Sequence, residues 1–451
     1  MHGIRWNSKA AFIFATAAAA IGLGNIWRFT YVVGENGGGL FVLLYILCVL
    51  ILGVPLILAE IVMGRLHRSH PVAMTAALAK QSGRSQRWGM LGGFMLFSSF
   101  LILGYYVVIA GWVLHYGMDA VVNGYATTTA TSVKEQFSRL TQSPEVLIGT
   151  TLSLIVASAV ILSLGVKRGL ERAVMIMFPL MLCLMLALLV YAIIETHFMS
   201  GVRYLFFPNF NAISSLNGFY KVFLSALGQA FFSLNIGMGV TGMFSAYLPK
   251  KISVVQAALW VTVADTGFAL LSGLIIFPFV AKYGLSFSAG PGLIFETLPL
   301  AFSHMPFGTW IGAAFFLMVF LAAFSSIIAL LEPVLCWFSE RFSVQRTTAV
   351  WVLSGLIAVL SLCTIGGFCW PEYFSWHDKT FFSLLDELTS KLMLPLCGFL
   401  LSIFAGFVIK STFIEKEFNW SVNSFYYLSW RLIIRWIAPM IILLIFLSIV
   451  L

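Results

Sequence analysis

Charged residues are scarce in this sequence, and their scarcity decides the class of protein. Only 10% of the 451 residues are Asp, Glu, Lys or Arg, whereas 60% are hydrophobic, and the mean hydropathy is +0.98. A soluble domain of this length needs far more polar surface. Polar linkers and low-complexity tracts are also lacking. The sequence therefore predicts one membrane domain over residues 1–451, in contact with the lipid bilayer.

Clusters that bind metals or perform catalysis are lacking too. The six cysteines form no CxxC pair and lie mostly within apolar runs, which is typical of hydrophobic filling. The seven histidines are scattered over loops and helix ends. Because an enzyme needs a nucleophile beside a base, or a metal cluster, we predict no enzymatic activity. The net charge of +9 is explained by membrane topology, so no nucleic-acid partner is predicted.

Eleven apolar runs are long enough to cross the hydrocarbon core, which takes about 20 residues in a helix. Most of the 26 Lys and Arg residues fall on the side of the membrane that holds the N-terminus. Basic loops remain in the cytoplasm, so we expect a cytoplasmic N-terminus and, after an odd number of spans, an external C-terminus. The predicted spans are near residues 9–34, 38–63, 88–118, 146–165, 173–194, 217–247, 254–280, 309–338, 347–367, 386–409 and 432–451.

Paired glycines interrupt the first and the sixth span. The stretch "AIGLGN" at 20–25 is echoed by "NIGMGV" at 235–240, each in the first helix of a set of five. An odd number of spans per set gives the second set the opposite orientation, which is the arrangement of an inverted repeat. We expect repeats at about 9–194 and 217–409 and an extra helix at about 432–451. Broken helices at the midplane would turn free carbonyls and helix ends toward a ligand.

Polar residues inside the spans are the candidate site. Asn25 and Arg28 lie in the first span, Asp265 is the only acid in the apolar run 252–281, and Ser325 and Ser326 are adjacent in the eighth span. Ionisable residues at this depth are usually functional. Three alternatives remain open: close helix packing for the glycines, a structural role for Asp265, and bonds within the helix for the serines. The two hydroxyls with the Ala322 carbonyl would otherwise form an oxygen cage for a hard cation.

These residues lie in motifs that resemble one known family, the neurotransmitter:sodium symporters, in its bacterial amino-acid-transporting branch. The motifs follow in order along nearly the whole chain: "GLGNIWRF" with "ENGGG", "GYYVVIAGW", "GQAFFSLNIGMG", "ADTGFALLSGLIIFP", "GPGLIFETLP" and "FSSIIALLEP". The resemblance implies an all-α membrane protein with a 5+5 inverted repeat and discontinuous helices 1 and 6. It further implies sodium-coupled uptake of a neutral, hydrophobic L-amino acid by alternating access, in the bacterial cytoplasmic (inner) membrane.

The resemblance also implies two sodium ions. The first site would combine the substrate carboxylate with Ala20, Asn25, Ser233 and Asp265. The second site would combine the carbonyls of Ala18, Ile21 and Ala322 with the hydroxyls of Ser325 and Ser326. Because Asp265 supplies a negative charge beside the first site, no chloride requirement is expected.

The substrate and the gates are implied residue by residue. The substrate would contact Ala19, Ala20, Leu23, Gly24, Ile102, Tyr106, Phe232, Ser233, Asn235, Met238, Ser326 and Leu330. The outer gate would be the ion pair of Arg28 with Asp386. The inner gate would be formed by Arg5, Trp6, Tyr247 and Glu340.

Three positions depart from the family pattern. Thr30 replaces the proline that usually follows "RF", Asn235 replaces a small hydroxyl residue, and Arg5 lies two positions from the usual arginine, where this chain has Gly3. Two other functions remain as alternatives: a proton-coupled amino-acid carrier of the same fold, and an ion channel. A channel favours a repeated polar stripe, whereas one polar centre within a twofold repeat favours a carrier. The sequence leaves open which amino acid is carried, the ion stoichiometry and the oligomeric state.

Overall fold

The computed structural model describes residues 9–125, 129–208, 210, 216–287, 290–376, 379–418 and 424–450. Within these residues, nine helical segments are long and apolar enough to cross a membrane. We number them with the predicted spans as 2–5 and 7–11. In chain order they are Gly39–Leu66, Gln86–Val122, Pro144–Ser163, Val166–Glu195, Val254–Lys282, Gly308–Phe342, Arg346–Cys369, Phe381–Val408 and Phe425–Leu444. The helix of span 11 continues to Val450.

Spans 1 and 6 are discontinuous, as predicted. Span 1 consists of Lys9–Ala20, a wide helical turn at Gly24–Arg28 and Phe29–Glu35. Span 6 consists of Leu216–Ser233 and Val240–Ser245. The breaks therefore fall at residues 21–23 and 234–239. Both halves of span 1 and the second half of span 6 are too short to cross the membrane alone, and the 18 residues of Leu216–Ser233 are at the lower limit, so each pair together forms one span.

Short helices and one small hairpin connect the spans. The helices are Pro71–Gln81, Ala130–Thr141, Phe198–Phe206, Thr297–Ser303, Pro371–Phe374 and Ser411–Phe418. The strands β1 (Ser375–Trp376) and β2 (Lys379–Thr380) pair antiparallel, with Ser375 opposite Thr380 and Trp376 opposite Lys379. Single helical turns lie at Gln86–Trp88 and Gly290–Leu293.

The core of the bundle encloses the two breaks. Span 8 packs along spans 3 and 5, and the first half of span 1 lies against spans 7 and 8. Asn25 and Asp265, polar residues in the middle of spans 1 and 7, are completely buried. The interrupted backbone is thus enclosed by protein and shielded from lipid, which is the condition for a break at membrane depth.

Three spans begin clearly earlier than predicted. Span 5 begins at Val166, span 10 at Phe381 and span 11 at Phe425, whereas the apolar runs begin near 173, 386 and 432. Hydropathy failed at span 11 because Arg431 lies in its first turns. The helix extends toward the N-terminus all the same, because the Trp430 indole is buried and donates a hydrogen bond of 3.1 Å to the Pro55 carbonyl.

Candidate functional site

The break in span 1 is held open by side chains from three other spans. The Leu23 N–H donates to the Tyr106 hydroxyl at 2.9 Å. Gln229 donates to the Gly24 carbonyl at 2.8 Å, and Ser272 donates to the Asn25 carbonyl at 2.7 Å. The Leu23 N–H, which a continuous helix would pair internally, thus finds a partner across the bundle, and the Gly24 carbonyl accepts from Gln229 in addition to the Phe29 N–H of its own turn.

Glycine is required at position 22 because two side chains approach its backbone closely. A Cβ atom there would lie 2.5 Å from both the Ser326 hydroxyl and the Tyr106 hydroxyl. Any larger residue would separate spans 3 and 8 from the break. The first glycine of the "GLGN" motif is thereby explained by close approach of a functional backbone.

Three residues of the predicted first sodium set, Asn25, Ser233 and Asp265, come together with Tyr45, which was not predicted, in one buried cluster that we call the Asp265 cluster. The fourth predicted residue, Ala20, lines the small cavity described below. Ser233 donates to one Asp265 carboxylate oxygen at 2.7 Å, and Asn25 donates to the other at 2.7 Å. The Tyr45 hydroxyl lies 3.3 Å from that of Ser233. Every side chain in the cluster is buried.

The orientation of the Asn25 amide is set by its neighbours. Its nitrogen faces three acceptors, namely the Ser233 hydroxyl and the carboxylate and carbonyl of Asp265, while its oxygen accepts from the Gly22 N–H at 3.1 Å. An amide nitrogen cannot coordinate a cation. Coordination of sodium by the Asn25 oxygen within this cluster therefore requires rotation of the amide, and this ligand remains a prediction.

The predicted second sodium set also comes together, as the Ser325 cluster, whose oxygens belong to Ala18, Ile21, Ala322, Ser325 and Ser326. Ser325 donates to the Ala18 carbonyl at 3.1 Å and to the Ala322 carbonyl at 3.0 Å. Ser326 donates to the Ile21 carbonyl and the Ala322 carbonyl, each at 3.2 Å. Both hydroxyls cross from span 8 to span 1, so bonding within their own helix does not account for them. Five neutral oxygens converge at a buried point, which is a ligand set suited to a hard cation.

A small cavity lies between the two breaks. Its volume is only about 10 Å³, and Phe232 and Tyr106 separate it from a wider external cavity of about 190 Å³ that the same two residues also line. The residues around it are Ala20, Gly22, Gly24, Ile102, Tyr106, Phe232, Asn235, Met238, Ser326 and Leu330.

Three predicted substrate residues lie beside this cavity instead of lining it. The Ala19 carbonyl accepts a hydrogen bond of 2.6 Å from the Asn235 amide. Leu23 faces the external cavity, and Ser233 belongs to the Asp265 cluster. The residues that do line it are mostly apolar, and no carboxylate or cationic side chain is among them.

The predicted outer gate is not closed by an ion pair. Arg28 and Asp386 line the same external cavity, but no ion pair joins them in the described part of the chain. The Arg28 guanidinium instead lies 4.4 Å from the centre of the Phe232 ring, which is a cation–π distance. Closure of this pair on substrate binding remains a prediction.

At the inner side, Glu340 has a partner that the sequence did not indicate. Its carboxylate lies 3.5 Å from Nε2 of His70, whose Nδ1 accepts from the Ala73 N–H and caps the helix Pro71–Gln81. Burial lowers the pKa of His70, although Glu340 opposes this shift. The predicted gate residue Tyr247 is buried. Arg5 and Trp6 lie outside the described residues.

Sequence reasoning missed several polar residues around the site. Gln229 and Ser272 hold the broken turn, and Glu60 accepts a hydrogen bond of 2.9 Å from the Gly237 N–H in the second break. Their spacing in the sequence could have indicated them. Gln229 lies one helical turn before Ser233, and Ser272 lies two turns after Asp265, so each lies on the same helix face as a predicted site residue. Polar side chains on one face of an apolar helix point to a shared site.

Thr30, the departure from the family's proline, is explained locally. Its hydroxyl donates to the carbonyls of Ile26 and Trp27 at 2.7 and 3.0 Å. A proline at this position would leave a helix carbonyl without its N–H partner. Threonine instead keeps the helix continuous and satisfies the same carbonyls with its side chain.

Comparison with known proteins gives a consistent result. The model of the sodium:neurotransmitter symporter family matches residues 4–136 and 121–451. The chain is similar to MhsT in a crystal structure of its complex with L-phenylalanine, with a TM-score of 0.90, 34% identity and 99% of each chain covered.

Curated relatives extend the match to other organisms. An uncharacterized sodium-dependent transporter of Bacillus subtilis, YhdH, is 31% identical over 99% of this chain and 98% of its own length. One from Haemophilus influenzae is 31% identical over 98% of this chain and 97% of its length. The sodium-dependent dopamine transporter of Caenorhabditis elegans is 25% identical over 83% of this chain and 70% of its length. The chain belongs to the sodium:neurotransmitter symporter family and is a sodium-dependent membrane transporter.

Proposed function

We propose that the protein takes up a neutral, mainly hydrophobic L-amino acid together with two sodium ions by alternating access. The observation that carries this proposal is the position of the cavity, which touches both breaks. The cavity reaches the first break through Gly22 and Gly24, and it reaches the Ser325 cluster through Ser326. A ligand in the cavity would contact elements of both repeats. Its binding can therefore favour one arrangement of the repeats over another, as alternating access requires.

The two clusters supply the sodium ligands in this proposal. The Ser325 cluster offers only neutral oxygens, which replace the hydration shell of a monovalent ion and hold it weakly enough for it to leave again. The Asp265 cluster, with the Ala20 carbonyl and the substrate carboxylate, holds the other ion after the Asn25 amide rotates. Substrate and sodium then stabilise each other, because the carboxylate is a ligand of the ion and the ion neutralises the carboxylate.

The cavity walls support a neutral substrate. Ile102, Phe232, Met238 and Leu330 offer apolar surface, and burial of an apolar side chain against them contributes about 25 cal/mol per Å². A charged side chain would lose its hydration without gaining a counter-ion, which is very costly. The amides near Leu23 and Gly24 and the Tyr106 hydroxyl would hold the carboxylate, and carbonyls of the second break would hold the ammonium.

The direct test is thermal unfolding of the purified protein with each of the twenty amino acids, first in sodium and then in potassium. A ligand at about 100 times its Kd stabilises the folded state by about 2.7 kcal/mol. We expect stabilisation by neutral apolar amino acids in sodium only. Preference for lysine or glutamate over leucine, methionine and the aromatic amino acids would contradict the substrate assignment.

Transport assays separate the alternatives. A sodium-coupled carrier in proteoliposomes shows saturable uptake driven by a sodium gradient, and counterflow of labelled substrate. A proton-coupled carrier of the same fold would take up substrate equally well in potassium when a pH gradient is applied. An ion channel would show neither saturation nor counterflow.

Chloride independence follows from charge balance. Two sodium ions and a zwitterionic amino acid add two positive charges to a site without water, and a buried charge without compensation is very costly. Asp265 is completely buried next to Asn25 and Ser233. Its carboxylate supplies the negative charge that a bound chloride would otherwise have to supply.

The test is uptake with gluconate replacing chloride, for the native protein and for Asp265→Asn. We expect the native protein to transport equally well in both anions and Asp265→Asn to lose sodium-driven uptake in gluconate. Loss of native transport without chloride, or full activity of the variant in gluconate, would refute this part of the proposal.

We place the protein in the bacterial cytoplasmic membrane with its N-terminus inside. The concentration of Lys and Arg on one side of the predicted spans supports this orientation. Reporter fusions after residue 85, which precedes span 3, and after residue 450 test it. The first fusion is expected to report a cytoplasmic position and the second an external one.

A further inference from the structure

We infer that Asn235 selects substrates whose side chain donates a hydrogen bond from an aromatic frame, namely an indole N–H or a phenol O–H. The inference rests on the proposed function and narrows its substrate class. Asn235 lies in the break of span 6 and lines the small cavity together with Ile102, Phe232 and Met238.

The backbone conformation of Asn235 determines the direction in which its side chain leaves the chain. Its φ angle is +52°, so Asn235 is one of the few described non-glycine residues in the left-handed region. Asparagine tolerates this conformation better than most residues do. A residue at such an angle leaves the direction of the preceding helix, and Asn235 accordingly projects across to span 1, where it reaches the Ala19 carbonyl.

The hydrogen bond to Ala19 determines which end of the amide is left for a ligand. The Ala19 carbonyl only accepts hydrogen bonds, so the atom that lies 2.6 Å from it must be the amide nitrogen. The amide oxygen is then the remaining polar atom, and it accepts no hydrogen bond from any residue that the structure describes. Asn235 therefore offers the cavity an acceptor whose orientation is fixed before the substrate arrives.

The fixed Asn235 acceptor distinguishes substrates that carry a donor from substrates that do not, because a buried acceptor without a hydrogen bond costs free energy. A substrate with a donor at the matching position pairs with the oxygen, whereas an isosteric substrate without the donor expels water and leaves the oxygen without a partner. That penalty amounts to about fivefold or more in affinity. A site built to pair with an N–H or O–H group rejects the analogue that lacks it far more strongly than an apolar pocket rejects a missing methylene.

The other residues around the cavity restrict which donors fit. Lysine and arginine would bring a positive charge, and the cavity has no carboxylate to pair with it. Serine and threonine would bury little apolar area against Ile102, Phe232, Met238 and Leu330. Once the cavity widens to admit a substrate, an aromatic ring buries a large apolar area against these walls, and Met238 and Phe232 provide the sulfur and ring contacts that aromatic side chains favour. Indole and phenol combine this ring with one donor.

The experiment compares pairs of ligands that differ only in the donor. Kd values in sodium are measured for L-tryptophan and L-3-benzothienylalanine, in which sulfur replaces the indole N–H, and for L-tyrosine and L-phenylalanine. We expect the native protein to favour the donor in at least one pair by about fivefold or more. In Asn235→Gly, which suits the left-handed backbone and removes the amide, the ratio is expected to fall to about one.

The control is Met238→Leu, which alters the same cavity at nearly constant volume and keeps the acceptor. It is expected to change the absolute Kd values but to preserve the native ratio. Because the readout is a ratio within one protein, a general loss of affinity in Asn235→Gly from the broken contact with Ala19 does not affect it.

Each outcome has a distinct meaning. A native ratio near one in both pairs, or an unchanged ratio in Asn235→Gly, overturns the inference and leaves the proposed function intact. An unchanged ratio in Asn235→Gly is also expected if the Asn235 amide oxygen pairs with the substrate ammonium, because all four ligands share that group. Binding of leucine or methionine in sodium without binding of any aromatic ligand likewise overturns the inference alone. If no neutral amino acid binds in sodium, the proposed function itself fails.

Discussion

Ser325 and Ser326 are the residues at which a transport role and a packing role differ most clearly. Each hydroxyl donates both to span 1 and to its own helix. A purely structural serine in a membrane helix needs only the second kind of bond. The bonds to Ala18 and Ile21 direct the hydroxyls at the very carbonyls that a cation would need.

We predict that the double change Ser325→Ala and Ser326→Ala abolishes sodium-driven uptake while the protein remains folded in the membrane. Two of the five oxygens of the Ser325 cluster are lost, whereas the change in side-chain volume is small. The measurement is uptake in proteoliposomes as a function of sodium concentration, beside the amount of folded protein.

The matched controls for this prediction are Ser158→Ala and Ser402→Ala. Both serines are buried, and each donates only to a carbonyl of its own helix. They should retain native uptake. If the double variant also kept native uptake and sodium dependence, the packing role would be the correct one.

At the scale of the element, the break in span 6 depends on span 2. Glu60 accepts a hydrogen bond from the N–H of Gly237, whose φ angle is +80°. Both residues are buried, so no water can replace this acceptor. The carboxylate thus pairs a backbone group that the interrupted helix leaves open.

We predict that Glu60→Ala destabilises the protein by about 1–3 kcal/mol, the cost of an unsatisfied buried N–H group. Glu60→Gln keeps an acceptor of the same length and should lose less stability. Thermal unfolding and substrate affinity of the two variants in sodium provide the measurement. Equal stability of the alanine and glutamine variants would show that the bond to Gly237 contributes nothing.

The elements also show how far the sequence could predict this molecule. Paired glycines alone would also suit close helix packing. The breaks at 21–23 and 234–239 were predictable because matched glycine pairs recur in the first span of each set of five, with Asn25 and Arg28 beside the first pair. The start of span 11 was not, because the charge of Arg431 hides a helix whose first turns are held by the contact of Trp430 with Pro55. Periodicity within one segment cannot reveal a partner from another span.

The candidate site likewise has features that the sequence predicts and features that it does not. The motifs identified the residues of both clusters except Tyr45, and each cluster draws on two or more distant spans that the fold brings together. The orientation of the Asn25 amide and the contact of His70 with Glu340 were beyond the sequence, because rotamers depend on atoms supplied by several elements at once. Sequence therefore predicts which residues meet more reliably than how their polar atoms face.

At the scale of the whole molecule, the two cavities are separated by a thin layer of side chains. Phe232, Tyr106 and Gly24 line both the external cavity and the small cavity. Arg28 lies over the ring of Phe232, and Asp386 lines the same external cavity. We therefore expect the outer side to close when spans 1 and 10 approach each other and bring Arg28 and Asp386 into an ion pair.

We predict that sodium and substrate together close the external cavity, and that Asp386→Asn weakens this closure. As water leaves, the attraction between the two charges rises because the local dielectric constant falls. The measurement is the labelling rate of Ile109→Cys, a residue of the external cavity, by a membrane-impermeant maleimide, with the six native cysteines replaced. Sodium plus substrate should slow labelling in the protein with Asp386 and slow it much less in Asp386→Asn.

Glu387→Gln is the matched control for this last prediction. Glu387 lines the same cavity and is adjacent in sequence, but its carboxylate pairs with Lys379 and Lys391 at 2.6 and 2.9 Å. Its neutralisation removes the same charge from the cavity without removing the partner of Arg28. Protection of the cysteine should therefore persist in Glu387→Gln. Equal protection of the cysteine from labelling in all three proteins would mean that the outer side closes without the Arg28–Asp386 pair. An equal loss of this protection in Asp386→Asn and Glu387→Gln would mean that closure depends on total charge alone.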